Sequence, residues 1–379
     1  MLDALVVGCG LTGAVIARNL AERGEKVTIW ERRSHIGGNM YDYIDGNGIR
    51  VHKYGPHVFH TYDKNLKEYM LRFAKWVDFP ITCQVDMLGK QTPSPFNYKT
   101  IDDFYPQKEA TALKVALEQS YPGRDKATIV ELLQSKDKLV RSYADFLFEH
   151  DYSLYTAKQW GVSPKDIDPS VLKRVPVLFS YKDGYFDDPC QMVPEKGYTD
   201  WFRCLLKHPN ISIQLNIDAL DHLKVEDGAL SIDGKRFSRK VIYTGAADEL
   251  LQTRYGSLPY RSLRFEWRTE PVEHFQGAAL VAYPEAEGFT RITEYSYFPQ
   301  MRHYEKTSLA YEYPLPYQEG GQAEPYYPLL TKDSQECHRR YMEELGRVPN
   351  LILCGRLAQF KYYNMDQALE AALEVCKSL

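Results

Sequence analysis

The sequence predicts an α/β protein of two or three folded units, the first of which is a Rossmann-like dinucleotide-binding domain. Three observations predict this fold. The N-terminal segment ALVVGCGLTGAVIARNLAERGEKVTIWE reads as an apolar strand, a glycine-rich turn, a helix with an apolar face and a second strand. Residues 100–160 show helical periodicity with few strand signals. The segments YRSLRFEW and TRITEYSYF show the alternation of a separate sheet.

The N-terminal turn has the glycine spacing of a pyrophosphate-binding loop. Gly8, Gly10 and Gly13 follow the apolar strand in G-x-G-x-x-G register. The first glycine permits the tight turn, the second lets a pyrophosphate approach the backbone, and the third lets the helix pack closely on the strand. The free N–H groups at the helix start favour phosphate. Glu31, at the end of the second strand, is placed to bind a ribose hydroxyl.

A second glycine pair favours a flavin over a nicotinamide cofactor. Gly37 and Gly38 lie six and seven residues after Glu31. The isoalloxazine end of a flavin dinucleotide needs another close approach of the backbone, which a domain that holds only NAD does not require. The sequence therefore predicts FAD as the cofactor.

Composition narrows the class of protein. The formal net charge of −4 provides no basic field for a nucleic acid or an acidic membrane surface. The seven cysteines are scattered without a CxxC motif, so neither a zinc site nor a disulfide framework is indicated. The N-terminus has no basic region and too short an apolar run for export or membrane spanning, so we expect a cytoplasmic protein. The 29 tyrosines, against 16 phenylalanines, suit either a solvated cleft or an aromatic-rich core, and composition does not separate the two.

The segment VHKYGPHVFHT contains three histidines and admits three interpretations. A metal site is disfavoured because Gly55-Pro56 indicates a turn before His57 and His60, and no acid lies at ligand spacing. A nucleophile is disfavoured because no serine or cysteine occupies an elbow. The third interpretation is a loop whose backbone and imidazoles face the flavin and a substrate. His52 is expected to be a hydrogen-bonded structural residue.

Several motifs together resemble the bacterial UDP-galactopyranose mutase family. They are VVGCGLTGAV, ERRSHIGGN, HKYGPHVFHT, YTAKQWG, LKRVPV, EPYYP and GRLAQFKYYNMDQ, and they run in family order from residue 6 to residue 367. The resemblance implies a discontinuous FAD-binding domain, a helical insertion and an antiparallel sheet of about six strands that binds the substrate. The expected ranges are 1–80 with 196–250 and 345–379 for the FAD-binding domain, 100–195 for the helical insertion with a mobile lid at about 161–174, and 81–99 with 251–344 for the sheet domain.

The resemblance also implies an activity. Members of the family interconvert UDP-galactopyranose and UDP-galactofuranose, using N5 of reduced FAD as the nucleophile at the anomeric carbon, with no net redox change. It implies a UDP-sugar substrate, an external reductant such as NAD(P)H and a homodimer.

Site residues carry over from the motifs in three groups. The expected catalytic residues are Arg174, Arg291, His57 and His60. The expected substrate-binding residues are Tyr155, Trp160, Arg174, Tyr185, Arg291, Tyr327 and Tyr362. The expected cofactor-binding residues are Gly8, Gly10, Leu11, Thr12, Gly13, Glu31, Arg32, Gly38, Asn39, His57, Gly355, Arg356, Asn364 and Met365. No metal ligand is expected.

Three departures from the family pattern leave the sugar open. Gln359 and Asn364 stand where the family usually has acids, Tyr295 and Tyr297 replace histidine-type residues, and Cys83 lies close to the place of an asparagine. The alternatives are a mutase of UDP-N-acetylgalactosamine or of a dTDP-deoxysugar, an FAD oxidoreductase resembling the amine oxidases, and a nucleotide-sugar binder without catalysis.

Overall fold

A parallel sheet lies at the centre of the N-terminal unit. The computed structural model describes residues 2–161, 175–300, 305–317 and 324–379. The five parallel strands lie in the order Ile211–Leu215, Val27–Glu31, Ala4–Val7, Lys240–Tyr243 and Leu351–Leu353. The predicted strand, turn, helix and strand are confirmed, with the helix at Leu11–Glu22. The five strands all lie within the ranges expected for the FAD-binding domain.

Helices cover both faces of this sheet, which explains its apolar strands. On one face the helices Leu11–Glu22, Tyr198–Leu206 and Met365–Ser378 share one core with the sheet. On the other face, Ala247–Leu250 and Lys332–Leu345 pack against the strand residues Leu5 and Val241. Three distant parts of the chain therefore form one unit.

The predicted helical region is present. Its helices are Tyr98–Phe104, Gln107–Ser120, Ile129–Leu133, Lys138–Leu147 and Ser153–Trp160, with a π-helical turn at Phe148–Tyr152. Their apolar faces form a separate core, and Asn97, Thr128 and Asp137 cap three of their N-termini. A short two-stranded sheet pairs Lys126–Thr128, in the middle of the region, with Pro176–Leu178, which follows it in the chain.

One strand lies outside the unit that its expected range assigns it to. Cys190–Pro194, at the end of the range 100–195, pairs with Phe59–Thr61 and Trp76–Asp78 from the N-terminal part of the chain. These pairings tie the strand to residues of the N-terminal range, a long-range contact that helical periodicity does not reveal.

A seven-stranded sheet forms the third unit. Its order is Tyr327–Pro328, Tyr260–Glu270, Thr307–Pro316, Arg291–Glu294, Leu280–Ala282, Cys83–Met87 and Lys90–Ser94. The sheet is antiparallel except where Leu280–Ala282 pairs in parallel with Cys83–Met87. The segment TRITEYSYF is a strand only as far as Glu294, and Tyr295–Tyr297 forms a 3-10 turn.

The remaining elements are short. The pairs and small sheets are Asp42–Ile44 with Arg50–His52, and Leu223–Glu226 with Ala229–Ile232 and Lys235–Arg236. The other helices are Gly38–Met40, Lys64–Leu71 and Ala219–His222. Among the described residues, no helix combines the length and apolarity needed to cross a membrane.

Candidate active site

A long cleft opens at the carboxyl end of the parallel sheet. It encloses about 1280 Å³, part of it open to solvent. This is the edge at which open parallel sheets bind ligands. All fourteen residues expected to bind the cofactor line it, namely Gly8, Gly10, Leu11, Thr12, Gly13, Glu31, Arg32, Gly38, Asn39, His57, Gly355, Arg356, Asn364 and Met365. Residues from both ends of the chain thus form one surface.

The two glycine motifs contact each other in this cleft. A Cβ at Gly38, where φ is +55°, would lie 2.8 Å from Gly10 Cα, and one at Gly13 would lie 2.1 Å from the carbonyl oxygen of Gly8. Side chains at these positions would therefore displace the backbone. The bare surface lies at the start of a helix, whose N–H groups and positive end favour a pyrophosphate. The residues present fit a dinucleotide cofactor.

Charged side chains line the second-strand end of the cleft. Both oxygens of the buried Glu31 carboxylate accept backbone N–H groups, from Cys9 at 2.8 Å and Arg33 at 2.9 Å. Arg32 and Arg33 donate to the two carboxylate oxygens of Glu324, at 2.9 and 3.1 Å. Because Glu324 precedes the EPYYP tyrosines, this contact ties the sheet domain to the cleft.

The C-terminal segment supplies the opposite wall. Arg356 donates to the carbonyl oxygens of Tyr326 and Tyr363, and Asn364 caps the helix Met365–Ser378. Gln359 Oε1 accepts from the Gly355 N–H at 3.1 Å and the Tyr363 hydroxyl at 3.2 Å. An amide at 359 therefore keeps an acceptor in place and removes only the negative charge of the family's acid.

His57 lies where this cleft meets a second cluster. Its Nδ1 is 2.8 Å from the Gly55 carbonyl oxygen, and its N–H donates to His52 Nδ1 at 3.0 Å, so His52 is the structural residue predicted. Burial, together with the smaller effects of His52, Arg356 and Arg291, lowers the pKa of His57 to about 3. The imidazole is therefore neutral at pH 7 and lies within electrostatic range of both arginines.

The second cluster is centred on Arg291. Arg291 Nε and one terminal nitrogen both lie 2.8 Å from Glu312 Oε2, and the two residues are direct cross-strand partners. Glu312 is 1% exposed, and its Oε1 has no hydrogen-bond partner within the described part of the chain. Burial raises the pKa of Tyr155; Arg291 opposes the shift, and Glu312 adds to it. Tyr155 thus lies close to the ion pair.

Aromatic rings join the cluster to the cleft. The Tyr327 and Tyr362 rings stack at 5.5 Å between centroids, and the Arg356 guanidinium lies 5.9 and 5.5 Å from these two rings. Burial raises the pKa of Tyr327 to about 12, with Arg291 opposing the shift. Tyr327 therefore lies between the arginine of the cleft and the arginine of the cluster.

Two of the expected site residues lie against Phe186. The His60 ring stacks on Phe186 at 3.7 Å between centroids, and its Nδ1 is 3.0 Å from Asp188 Oδ2. Tyr185 packs edge-on against the same ring at 4.9 Å and is 39% exposed. Tyr185 also contributes to the electrostatic environment of Tyr155, whereas His60 does not line the cleft.

Three expectations fall on residues that the structure does not describe. Arg174 and all of the expected lid at about 161–174 except Gly161 lie outside the described ranges. Of Trp160 only the backbone, at the end of the helix Ser153–Trp160, is described. Within the described ranges, no group of three or more histidine, cysteine, aspartate or glutamate side chains is arranged to hold a metal ion.

The other departures from the family pattern divide into two groups. Cys83 is buried near Arg291: burial raises the pKa of its thiol to about 12, and Arg291 opposes the shift. Tyr295 and Tyr297 instead serve packing, since their hydroxyls donate to the carbonyl oxygens of His52 and Gln276. The change at 83 therefore bears on the site, whereas the tyrosines stabilise the surrounding core.

Sequence reasoning missed Arg33, Glu312 and Glu324. Arg33 follows Arg32 directly, and Glu324 begins the EPYYP motif, so both lay within recognised motifs. Glu312 lies in the strand Thr307–Pro316, in the segment YEYP. A charged residue within an otherwise apolar and aromatic strand was the available signal.

Comparisons with known proteins agree with this arrangement. A family model described as UDP-galactopyranose mutase matches residues 151–362, and one described as an NAD(P)-binding Rossmann-like domain matches residues 6–73. The chain is 32% identical over 377 residues to a dTDP-fucopyranose mutase from Escherichia coli, covering 99% of this chain and 97% of that protein. It is 31% identical over 384 residues to a UDP-galactopyranose mutase from Mycoplasma pneumoniae, covering 100% of this chain and 96% of that protein.

A solved structure shares the fold. The crystal structure of a reduced UDP-galactopyranose mutase superimposes with a TM-score of 0.74 at 18% identity, covering all of this chain and 93% of that chain. The predicted α/β fold with a Rossmann-like domain is confirmed. The family model covers more than half of the chain, and relatives above 30% identity span nearly all of it. The chain therefore belongs to the UDP-galactopyranose mutase family.

Proposed function

We propose that the protein interconverts UDP-galactopyranose and UDP-galactofuranose. The observation that carries the proposal is the Arg291 cluster, which meets the dinucleotide cleft at His57. An arginine among tyrosines suits a sugar diphosphate, whereas an oxidase of apolar or amine substrates has no need of it.

The protein is an isomerase of the mutase type, and FAD is its cofactor. When bound and reduced, FAD supplies the nucleophile for the anomeric carbon without net redox change. We assign the pyrophosphate to the glycine turn at Gly8–Gly13, a ribose to Glu31, and the flavin end to the wall formed by Gly38, His57 and Arg356. The position of each residue in the cleft supports these proposed roles.

Arg291 is proposed to bind the diphosphate and to stabilise the charge that grows on UDP as it leaves. Its planar guanidinium can donate to two phosphate oxygens, and its burial strengthens each contact. Glu312 holds the guanidinium in place through Oε2, and its unpartnered Oε1 is available to a sugar hydroxyl. Arg174 is proposed as the second diphosphate arginine, on its place in the motif alone.

The aromatic residues are proposed to bind the rest of the substrate. Tyr155, with Trp160, holds the uridine end, and Tyr327 and Tyr362 present stacked rings and hydroxyls beside Arg356. Tyr185 flanks Tyr155. His57 is neutral and acts by position rather than by charge. His60, which stacks on Phe186, supports the substrate side.

A dTDP-deoxysugar is the second candidate substrate. One relative that spans the chain is a dTDP-fucopyranose mutase, at an identity similar to that of the UDP-galactopyranose mutase relative. The neutral side chains of Gln359 and Asn364 and the thiol of Cys83 lie near the site, where they alter its polarity. The reductant is proposed to be external, such as NAD(P)H, and the assembly a cytoplasmic homodimer.

The test is turnover of UDP-galactofuranose by the purified holoenzyme, with and without dithionite. We expect UDP-galactopyranose to form only in the reduced sample. A parallel assay replaces the substrate with dTDP-fucofuranose. A higher kcat/KM on the dTDP-sugar would overturn the substrate assignment, and the absence of turnover on either sugar, with reducible FAD bound, would overturn the proposed activity.

A further inference from the structure

Lys158 forms a three-fold contact that the proposed mechanism does not use. Its ammonium donates to three backbone carbonyl oxygens, those of Tyr283 at 2.7 Å, Ala286 at 2.6 Å and Phe289 at 2.9 Å. All three belong to the loop between the strands Leu280–Ala282 and Arg291–Glu294. The ammonium has three N–H donors, so this one loop engages all of them.

The contact joins the two parts of the proposed substrate site. Lys158 is three residues after Tyr155 on the helix Ser153–Trp160, so the two side chains emerge on neighbouring parts of one helix surface. At the other end, Phe289 lies two residues before Arg291. Between them, the Thr290 N–H donates to the Glu312 carbonyl oxygen at 2.8 Å. The loop that Lys158 holds therefore leads directly into the Arg291–Glu312 pair.

A second cation fixes the same helix end to the same sheet. Arg261, on the strand Tyr260–Glu270, donates through Nε to the Gln159 carbonyl oxygen at 3.1 Å, and its guanidinium packs over Gly161. The last turn of the helix is thus held by two cations: Lys158 on the helix binds the loop of the sheet, and Arg261 on the sheet binds the helix. The contacts of Lys158 and Arg261 together restrict the position of this helix, and hence of Tyr155, more than either contact would alone.

Lys158 differs from a lysine that only stabilises its own helix. A lysine in a last turn favours the carbonyl groups and the negative end of its own helix. Lys158 instead reaches another element. It forms no ion pair with a described carboxylate, although Glu285 lies in the same loop and pairs with His150. Burial lowers the pKa of Lys158 to about 8, so the ammonium remains protonated at pH 7. Because its partners are neutral carbonyl oxygens, the ammonium of Lys158 holds the loop against the helix and keeps its positive charge.

We propose that Lys158 is a positioning residue that sets the placement of Tyr155 relative to Arg291. The inference rests on the proposed function, in which Tyr155 holds the nucleotide and Arg291 the diphosphate. Because one UDP moiety spans both residues, loss of the contact weakens binding of the substrate and of UDP alike.

The test is Lys158→Met, which removes the ammonium and keeps most of the side-chain length. We expect the KM for UDP-galactofuranose and the Kd for UDP to rise together, at least tenfold, while kcat changes less than threefold and FAD content stays the same. Lys158→Arg, which keeps a charged donor, should recover part of the affinity. In a Tyr155→Phe background, the effect of Lys158→Met on the Kd should shrink, because the lysine acts through Tyr155.

Lys114→Met is the matched control, because it removes a lysine that contacts Asp102 and Tyr181 in the same helical region. A lower melting temperature in Lys158→Met with unchanged Kd and KM would reduce Lys158 to a structural role and overturn the inference. If Lys158→Met does not fold, Lys158→Gln replaces it as the variant without the charge, and an unchanged Kd for UDP in Lys158→Gln would overturn the inference equally. Wild-type protein that neither binds UDP nor turns over would instead contradict the proposed function.

Discussion

Arg291 and Glu312 form an ion pair at the proposed diphosphate site. Removing Glu312 from water costs free energy, which its contact with Arg291 offsets. The pair holds the guanidinium in a fixed orientation before the substrate arrives, and such preorganisation makes electrostatic stabilisation effective.

Arg291→Met should lower kcat/KM at least 100-fold with FAD retained. The loss corresponds to about 3 kcal/mol, a typical value for a charge-assisted hydrogen bond that acts on a developing charge. Steady-state kinetics and the flavin absorbance of the purified variant measure the two quantities.

The control for this change must separate catalysis from stability. Arg291→Met leaves a buried carboxylate unpaired, so Arg291→Met/Glu312→Gln should recover melting temperature but not activity. Arg268→Met removes an exposed arginine that pairs with Glu266 in the same sheet and should leave kcat/KM unchanged. Turnover of Arg291→Met near the wild-type value would remove Arg291 from the mechanism.

His52 makes stability depend on pH. Its Nδ1 accepts the His57 N–H, so this nitrogen must be unprotonated, and burial lowers the pKa of His52 to about 3. The unfolded chain, with a histidine pKa of about 6.5, binds more protons between these two values. The stabilisation is therefore complete above pH 6.5 and is lost as the pH falls towards 3.

His52→Asn should flatten this dependence, because the amide oxygen can accept the same N–H without titrating. We expect the free energy of unfolding to fall between pH 7 and pH 5 by about 2 kcal/mol less than in the wild type. Urea unfolding at the two pH values measures the difference. Equal losses in both proteins would show that His52 does not titrate on unfolding.

The residue scale also shows what a sequence can and cannot predict. That the fourteen residues expected to bind the cofactor line one cleft was predictable, because each lies in a local sequence motif. Glu312 was not, because its role arises from a cross-strand register that places it opposite Arg291. Register is set by contacts between distant segments, and one sequence contains no direct record of them.

At the scale of elements, two glycine-rich turns together form one surface of the cleft. The turn at Gly8–Gly13 and the turn at Gly37–Gly38 come from different strand ends, yet Gly10 and Gly38 touch through their backbones. The contact holds the start of the helix Leu11–Glu22 close to the 3-10 helix Gly38–Met40, and the dinucleotide is proposed to bind along this surface. Flavin binding thus depends on two elements together.

Gly38→Ala should therefore lower the affinity for FAD at least tenfold. The added Cβ would lie 2.8 Å from Gly10 Cα, and φ of +55° is unfavourable for alanine. Flavin content and a titration of the apoprotein with FAD measure the effect.

Gly46→Ala is the control, since its Cβ would meet no atom within 4 Å. This variant should bind FAD as the wild type does. Equal FAD affinity in Gly38→Ala would mean that the two turns can separate without cost, which would contradict the role given to their contact.

The periodicity of the sequence predicted which segments are helices more reliably than it predicted which strands pair with each other. The helices between 98 and 160 follow the apolar period of their sequence, and their capping residues mark the starts. The strand Cys190–Pro194 and the parallel pairing of Leu280–Ala282 with Cys83–Met87 were not predictable. Both are contacts across more than 100 residues, for which strand alternation provides no signal.

At the scale of the whole molecule, the cofactor cleft is built from distant parts of the chain. Its lining residues lie between 7 and 57, between 217 and 249, at 324–325 and between 355 and 368. None of the residues that the structure describes between 58 and 216 lines it. A bound dinucleotide therefore connects the discontinuous domain to itself and to the EPYYP segment, while the helical region stands apart from it.

Removal of FAD should consequently destabilise one part of the molecule selectively. For a ligand present at about 1000 times its Kd, the loss is about 4 kcal/mol, which corresponds to a fall of about 10 °C in melting temperature. Hydrogen exchange should accelerate in the cleft segments but not in the helices Gln107–Ser120 and Lys138–Leu147, whose core is separate. Scanning calorimetry and exchange of the apoprotein, with FAD added back as the control, measure both effects. Equal loss of protection in those helices would mean that the units unfold as one, and the cofactor would then stabilise the whole chain rather than the domain that binds it.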